Sequence, residues 1–152
     1  MEQEGVRGSR VRGGVFRRIL VCYDGSSGAR RALHVARSLA QDVGGTVDLL
    51  LVVQPPAHAE TTESREAAIE TERRQLSAGL DDELGRDARM AHVTPHVIVH
   101  DSPADAIADF ARQHGFELLV VGTHGREQVV HRGVGRSLEA LLRQHPCPLL
   151  VV

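Results

Sequence analysis

The sequence predicts an α/β domain: an open, five-stranded, all-parallel sheet with helices on both faces. Two observations predict it. Short apolar runs alternate with helical periodicity from one end of the 152-residue chain to the other, which is the signature of repeated strand–helix crossovers. Cap and turn residues separate the segments: Asp24-Gly25-Ser26, Gly44-Gly45, Pro55-Pro56, Ser102-Pro103, Gly115 and Pro146-Cys147-Pro148. Five strands joined by four helices then require a sheet buried on both sides, with right-handed crossovers.

Each element follows from local chemistry. Ile19 to Tyr23 is a buried strand, closed by the Asp24-Gly25-Ser26 turn. A helix runs on to about Asp42, with Ala32, Leu33, Ala36, Leu39, Ala40 and Val43 on one face, and Gly44-Gly45 ends it as a C-cap. Val47 to Val53 is the second strand, stopped by Pro55-Pro56. Residues 61–85 form a charged amphipathic helix with Ile69, Leu76, Leu80 and Leu84 as its buried stripe. Glu70 and Arg74 add an i,i+4 pair. His96 to Val99 is the centre of the third strand. Ser102-Pro103-Ala104-Asp105 then opens a helix: serine as N-cap, proline at the first helical position, an acid three residues after the cap. Ile107, Phe110 and Ala111 face the core, and Gly115 closes the helix. Glu117 to Val121 is the fourth strand. The last helix, Ser137 to Gln144, carries Leu138, Leu141 and Leu142, and Leu149 to Val152 is the final strand.

The length suits one domain with a real core; no internal repeat or second domain is visible. Apolar content is ordinary and the net charge is −2, as in a globular protein. No apolar run is long enough to span a membrane, and the N-terminus has arginines but no apolar signal region; the expected location is the cytoplasm. All 18 basic residues are arginine. The absence of lysine excludes Walker A chemistry and Schiff-base catalysis. With no tryptophan, one tyrosine and three phenylalanines, a stacking platform for single-stranded nucleic acid is not expected. Residues 1–18 carry a balance of +3 and the remainder −5. Residues 1–16 read as a disordered basic arm, and residues 17–152 as the folded domain. A basic arm can touch nucleic acid or membrane, but the expected reading is a floppy leader or an over-long start. Cys22 and Cys147 lie in or beside strand-like runs, where a structural thiol is expected rather than a disulfide.

The most informative segment links the fourth strand to the last helix. Gly122, Gly125 and Gly135 let backbone N–H groups approach a ligand closely. The helix start beside them favours an anion. That is the chemistry of a phosphate-binding loop. Ligands of such sheets bind beyond the carboxyl ends of the strands, where the strand order reverses. In the order 3-2-1-4-5, Asp24 and Gly122 are neighbours there. Asp24 serves either as a cap of the first helix or as a ligand group, and the two are compatible. His96 and His100 fall on one face of a strand, yet no zinc-type spacing accompanies them. A polar or edge-strand face is the expected reading, also for His92. Ser26, Ser27 and Ser102 sit at helix starts, and no nucleophile elbow exists. Dedicated rapid catalysis is therefore not expected.

The opening Arg18-Ile-Leu-Val-Cys-Tyr-Asp-Gly-Ser26, the glycine constellation and the ending His145-Pro-Cys-Pro-Leu-Leu-Val-Val152 together resemble the universal stress protein family. The resemblance covers residues 17–152. It implies an adenine nucleotide alpha hydrolase-like sheet of order 3-2-1-4-5 and dimerisation through the last strand. Some members bind ATP and some do not. The ATP-binding members follow the third glycine with Ser or Thr; this chain has Arg136 there, and Ser137 one residue later. Asp101 stands where the family often has glycine. Arg136 either contacts the phosphates or fills their place. The Asp101 carboxylate repels phosphate unless it is paired, with Arg126, Arg132 and Arg136 as candidate partners.

Carried over position by position, the resemblance implies an adenosine pocket. Asp24 would accept the ribose hydroxyls, and Val52 would line the adenine. Val121 and Gly122 would bracket base and sugar. His124 and Gly125 would meet the phosphate side, together with Gly135, Arg136 and Ser137 at the helix start. The resulting expectation is a cytoplasmic stress-response sensor or regulator. It binds ATP or a related adenine nucleotide, with Mg²⁺ carried on the nucleotide, and hydrolyses it slowly at most. It acts as a homodimer joined at Leu149–Val152. The alternative is a non-nucleotide-binding interaction module of the same fold, suggested by Arg136 and Asp101.

Overall fold

In the computed structural model the chain forms β1 (Arg18–Cys22), α1 (Ser27–Val43), β2 (Thr46–Val53), α2 (Thr62–Gly85), β3 (Val93–Val99), α3 (Pro103–His114), β4 (Leu118–Val121), α4 (Arg136–Gln144) and β5 (Leu149–Val151). The structure describes residues 15–58, 60–85, 93–123 and 136–152. The strands pair in the order β3-β2-β1-β4-β5, all parallel, as the sequence leads one to expect. The basic arm, apart from its last two residues, lies outside the described residues.

Strand alternation sorts the core into two layers. Ile19, Val21, Val47, Leu49, Leu51, Val53, Leu118 and Val120 pack with α1 and with Leu76 and Leu80 of α2. Leu20, Leu50, Leu119 and Val121 pack on the opposite face against α3 and α4. Successive strand side chains point to opposite faces, so two helix layers bury both sides of every central strand. Ile69 and Leu84 are partly buried at the ends of the α2 stripe. Leu138 and Leu141 of α4 are buried, but Leu142 is 44% exposed. The last helix thus turns two of its three leucines inward.

The caps follow the local sequence. Ser26 Oγ accepts from Ala29 N–H at 3.1 Å. Gly44 ends α1 and Gly115 ends α3, both in the left-handed region at φ +65° and +63°, where glycine is strain-free. Gly45 is required by close approach instead: a Cβ there would lie 2.5 Å from the Arg17 carbonyl oxygen. That carbonyl accepts from Thr46 N–H at 2.7 Å.

The chain enters the sheet through a clamp. Glu117 Oε2 accepts from the N–H groups of Arg17 at 2.6 Å and Arg18 at 3.0 Å. The Arg18 guanidinium lies over the Phe116 ring, 5.1 Å from its centroid, and donates to the His114 carbonyl.

β3 starts before Pro95 and is longer than the predicted centre. Proline lacks the ladder N–H, which an edge strand tolerates; β3 is such an edge. His96 faces the α3 side there. Its Nε2 lies 2.7 Å from Asp48 Oδ1, and its ring meets that of Phe110 at 5.1 Å.

Candidate functional site

β1 sends its crossover α1 to β2, and β4 sends α4 to β5 on its other side. The strand order therefore reverses between β1 and β4, and the carboxyl ends of these strands are where ligands of such sheets bind. Register aligns the residues there. Cys22 pairs with Leu50, so Asp24 and Val52, each two residues further on, reach the same level. Val21 pairs with Val120, which puts Val121 level with Cys22. Cys22, Val52 and Val121 all face the α3–α4 layer. Asp24, Val52, Val121 and Gly122 are thus gathered at the ends of three adjacent strands. Ile98, the register partner of Val52, extends the apolar wall. Its sequence signal was no more than its place in an apolar strand run.

The Asp24 turn is built by its own side chain. Asp24 Oδ1 accepts from Ser26 N–H at 2.9 Å, an Asx-turn bond. Gly25 takes φ +81°, which a larger residue adopts only with strain. The N-cap of α1 is Ser26, so the helix cap does not fall to Asp24.

Gly122 has a physical reason the sequence did not show. A Cβ on it would lie 2.6 Å from the Gly28 carbonyl carbon and 2.9 Å from Gly28 Cα. The first turn of α1 and the end of β4 are in backbone contact, and a side chain at Gly122 has no room there. Gly28, absent from the sequence-derived set, shapes this contact; its only signal is a glycine in the first turn of a helix. Beyond it, Thr123 N–H donates to the Val152 carbonyl at 3.0 Å, extending the β4–β5 pairing.

On the phosphate side, His124, Gly125 and Gly135 lie outside the described residues, as do Arg126 and Arg132. Arg136 and Ser137 are the first two residues of α4 and both are exposed. The helix thus begins one residue earlier than expected. Asp101 is 83% exposed at its side chain, and its Oδ1 lies 3.5 Å from Arg65 Nη2. Gln54 Nε2 donates to the Asp101 carbonyl at 3.3 Å. The cation beside Asp101 therefore comes from α2, a residue 36 positions away that no local pattern singles out.

Thiol chemistry is muted beside these strand ends. Burial pushes the Cys22 thiol well above its ordinary range, and the charge of Asp24 raises it further. Burial also raises Cys147. Both cysteines are free and partly buried, and a protonated thiol is a poor nucleophile. The strand histidines go to separate partners: His96 to Asp48, and His100 Nδ1 to the Ser102 N–H at 2.9 Å. His92 lies outside the described residues. Among the described residues no group of three or more His, Cys, Asp or Glu gathers as a metal ion would require.

Comparison with known proteins agrees with this architecture. The Universal stress protein family profile matches residues 16–152. The chain is 29% identical over 145 residues to the "Universal stress protein in QAH/OAS sulfhydrylase 3'region" of Thermus aquaticus, covering 91% of this chain and 99% of the relative. Among solved structures it is similar to universal stress protein UspA from Lactobacillus plantarum, with a TM-score of 0.78, 23% identity, and coverage of 92% and 99% of the two chains. A universal stress protein solved in complex with cAMP superposes with a TM-score of 0.68 at 19% identity, covering 91% of this chain and 98% of that one. The Archaeoglobus fulgidus protein in complex with dAMP gives 0.63 at 18%, covering 91% and 98%. With the β3-β2-β1-β4-β5 sheet in place and the family match running through the whole described fold, the chain belongs to the universal stress protein family.

Proposed function

We propose that this protein binds an adenine nucleotide, ATP foremost, at the carboxyl ends of β1 and β4, and acts as a cytoplasmic stress-response sensor or regulator. The observation that carries the reading is the register that gathers Asp24, Val52, Val121 and Gly122 at the carboxyl ends of three adjacent strands, Asp24 level with Val52 and Val121 level with Cys22, at the reversal of strand order. The donor set suits adenosine. An Asp24 carboxylate accepts ribose hydroxyls, while Val52, Ile98 and Val121 offer an apolar wall to a flat base. The start of α4, with Arg136 and Ser137, offers the N-terminal amides of a helix to an anion. Arg136 takes the place of the family's hydroxyl as a guanidinium contact to phosphate oxygens. His124, Gly125 and Gly135 complete the phosphate side. Mg²⁺ enters with the phosphates. Relatives of the same fold solved with cAMP and with dAMP support an adenine-based ligand.

The regulatory form we propose is a homodimer joined along Leu149–Val152. β5 is an edge of the sheet, with Val151 exposed on it and Leu142 exposed on the neighbouring α4. A hollow of about 430 Å³ lined by Leu141, Leu142, His145, Cys147, Pro148 and Leu149 continues that apolar surface.

Calorimetry with ATP and Mg²⁺ tests the ligand. Binding heat is expected with wild type at high micromolar protein, and its absence would defeat the reading. Arg136→Ser separates the two forms of the hypothesis. Weaker binding in that variant marks Arg136 as a phosphate ligand. Binding seen only in the variant means that Arg136 blocks the site and the natural protein is an interaction module.

A further inference from the structure

Arg30, one turn into α1, reaches back over the turn that carries Asp24. Its Nη2 donates to the Gly25 carbonyl at 3.1 Å. The buried Tyr23 phenol, one residue past the end of β1, has its pKa raised by burial, and the nearby Arg30 guanidinium partly offsets that rise. On its far side, Arg30 Nε lies 3.9 Å from Glu83 Oε2, and His34 Nε2 lies 3.3 Å from Glu83 Oε1. Glu83 is the sheltered member: its side chain is 17% exposed, against 53% for Arg30 and 58% for His34. One guanidinium therefore gathers the end of β1, the Asp24-Gly25-Ser26 turn and the last turns of α2.

A half-exposed ion pair at this distance adds little to global stability. Its geometry serves a local purpose. At Gly25 nothing lies within 4 Å of where a Cβ would stand, so packing does not hold that side of the turn. The Arg30 bond to the Gly25 carbonyl supplies the restraint from outside, as the Asp24–Ser26 bond does from inside. A planar guanidinium holds the Gly25 carbonyl while facing the Glu83 carboxylate in a fixed plane, which a freely rotating lysine ammonium does not reproduce.

Resting on the adenine-nucleotide reading above, we propose that Arg30, oriented by Glu83, is a positioning residue for Asp24. It fixes the peptide that follows Asp24 and so aims the carboxylate at the ribose, which makes nucleotide affinity answer to the position of the C-terminal end of α2. Neither Arg30 nor Glu83 touches the nucleotide.

The test is a mutant cycle read by calorimetry with ATP and Mg²⁺, with melting temperature recorded for each protein. Arg30→Gln and Glu83→Gln are expected to weaken ATP by about tenfold and somewhat less, the scale of one charge-assisted hydrogen bond. Arg30→Lys, which keeps the charge, is expected to hold the melting temperature and still lose affinity; it also stands in if Arg30→Gln fails to fold. The decisive arm is Asp24→Asn. If Arg30 acts through Asp24, adding Arg30→Gln to Asp24→Asn costs no further affinity. Independent, additive losses would overturn the positioning role, as would a melting-temperature drop in Arg30→Gln and Arg30→Lys with unchanged affinity. Wild type that binds no ATP would defeat the nucleotide reading itself, and this proposal with it. Wild type that binds while both Arg30 variants bind equally well would defeat the positioning role alone.

Discussion

Gly122 shows how much of a residue's meaning lies in what stands opposite it. Read along the chain, it opens a glycine constellation that invites a phosphate. In the fold, its missing side chain makes room for the Gly28 backbone, 2.6 Å from where its Cβ would be. Gly122→Ala must push α1 away from β4, because backbone cannot rotate aside as a side chain can. The expected cost is about 1–3 kcal/mol, read as a lower midpoint in urea unfolding. Asp24 was legible as a turn-former and as a ligand candidate because its Asx-turn chemistry is local. Arg65, Arg30 and Glu83 were not legible: their partners come from other elements, and no spacing rule links them.

Helix boundaries were the best-read part of the chain at the level of elements. α3 begins where Ser102, Pro103 and Asp105 say it should. Its cap bond to Asp105 N–H is long, 3.5 Å, so Ser102→Ala is expected to cost about 1 kcal/mol, within the usual range for an N-cap. Asp105 adds a pH dependence. The Ser102 hydroxyl, and then the Gln144 amide at 2.7 Å, hold its carboxyl below the usual range. The unfolded chain then binds that proton more readily than the folded one. The contribution is present above about pH 4 and fades as pH falls below it. Asp105→Asn should therefore lose less stability than wild type on acidification, measured by urea midpoints from neutral pH downward. Arg112 Nη2 also donates to the Gln144 carbonyl at 3.1 Å, so α3 braces the end of α4. β3 was read only in its centre, because Pro95 argues against a strand unless the strand is known to be an edge.

At the scale of the whole molecule, the sheet order decides both where the proposed ligand would sit and which surface is left over. The reversal between β1 and β4 marks the proposed nucleotide site, and the same topology leaves β5 at the margin with Val151 uncovered and Leu142 nearby. An apolar edge of this kind seeks a partner strand. Sedimentation at tens of micromolar is expected to show a dimer, and Val151→Glu or Leu142→Glu to shift it toward monomer. A monomeric wild type would remove the proposed interface. No helix among the described residues is long and apolar enough to cross a membrane.

The sequence by itself determined the parallel α/β fold, the number and order of its elements, and the family. The fold class and the succession of elements are written in short-range signals (apolar runs, helical periodicity, caps and punctuating glycines and prolines), and the family and its sheet order in the resemblance of three motifs to universal stress proteins. Tertiary structure alone decided which glycine serves packing, which cation stands beside Asp101 and which guanidinium steadies the Asp24 turn. Those choices join residues such as Arg65 and Asp101, or Arg30 and Glu83, that lie far apart in sequence. They meet only after the crossovers have stacked helices on the sheet, and side-chain contacts across that distance leave no periodic trace along the chain.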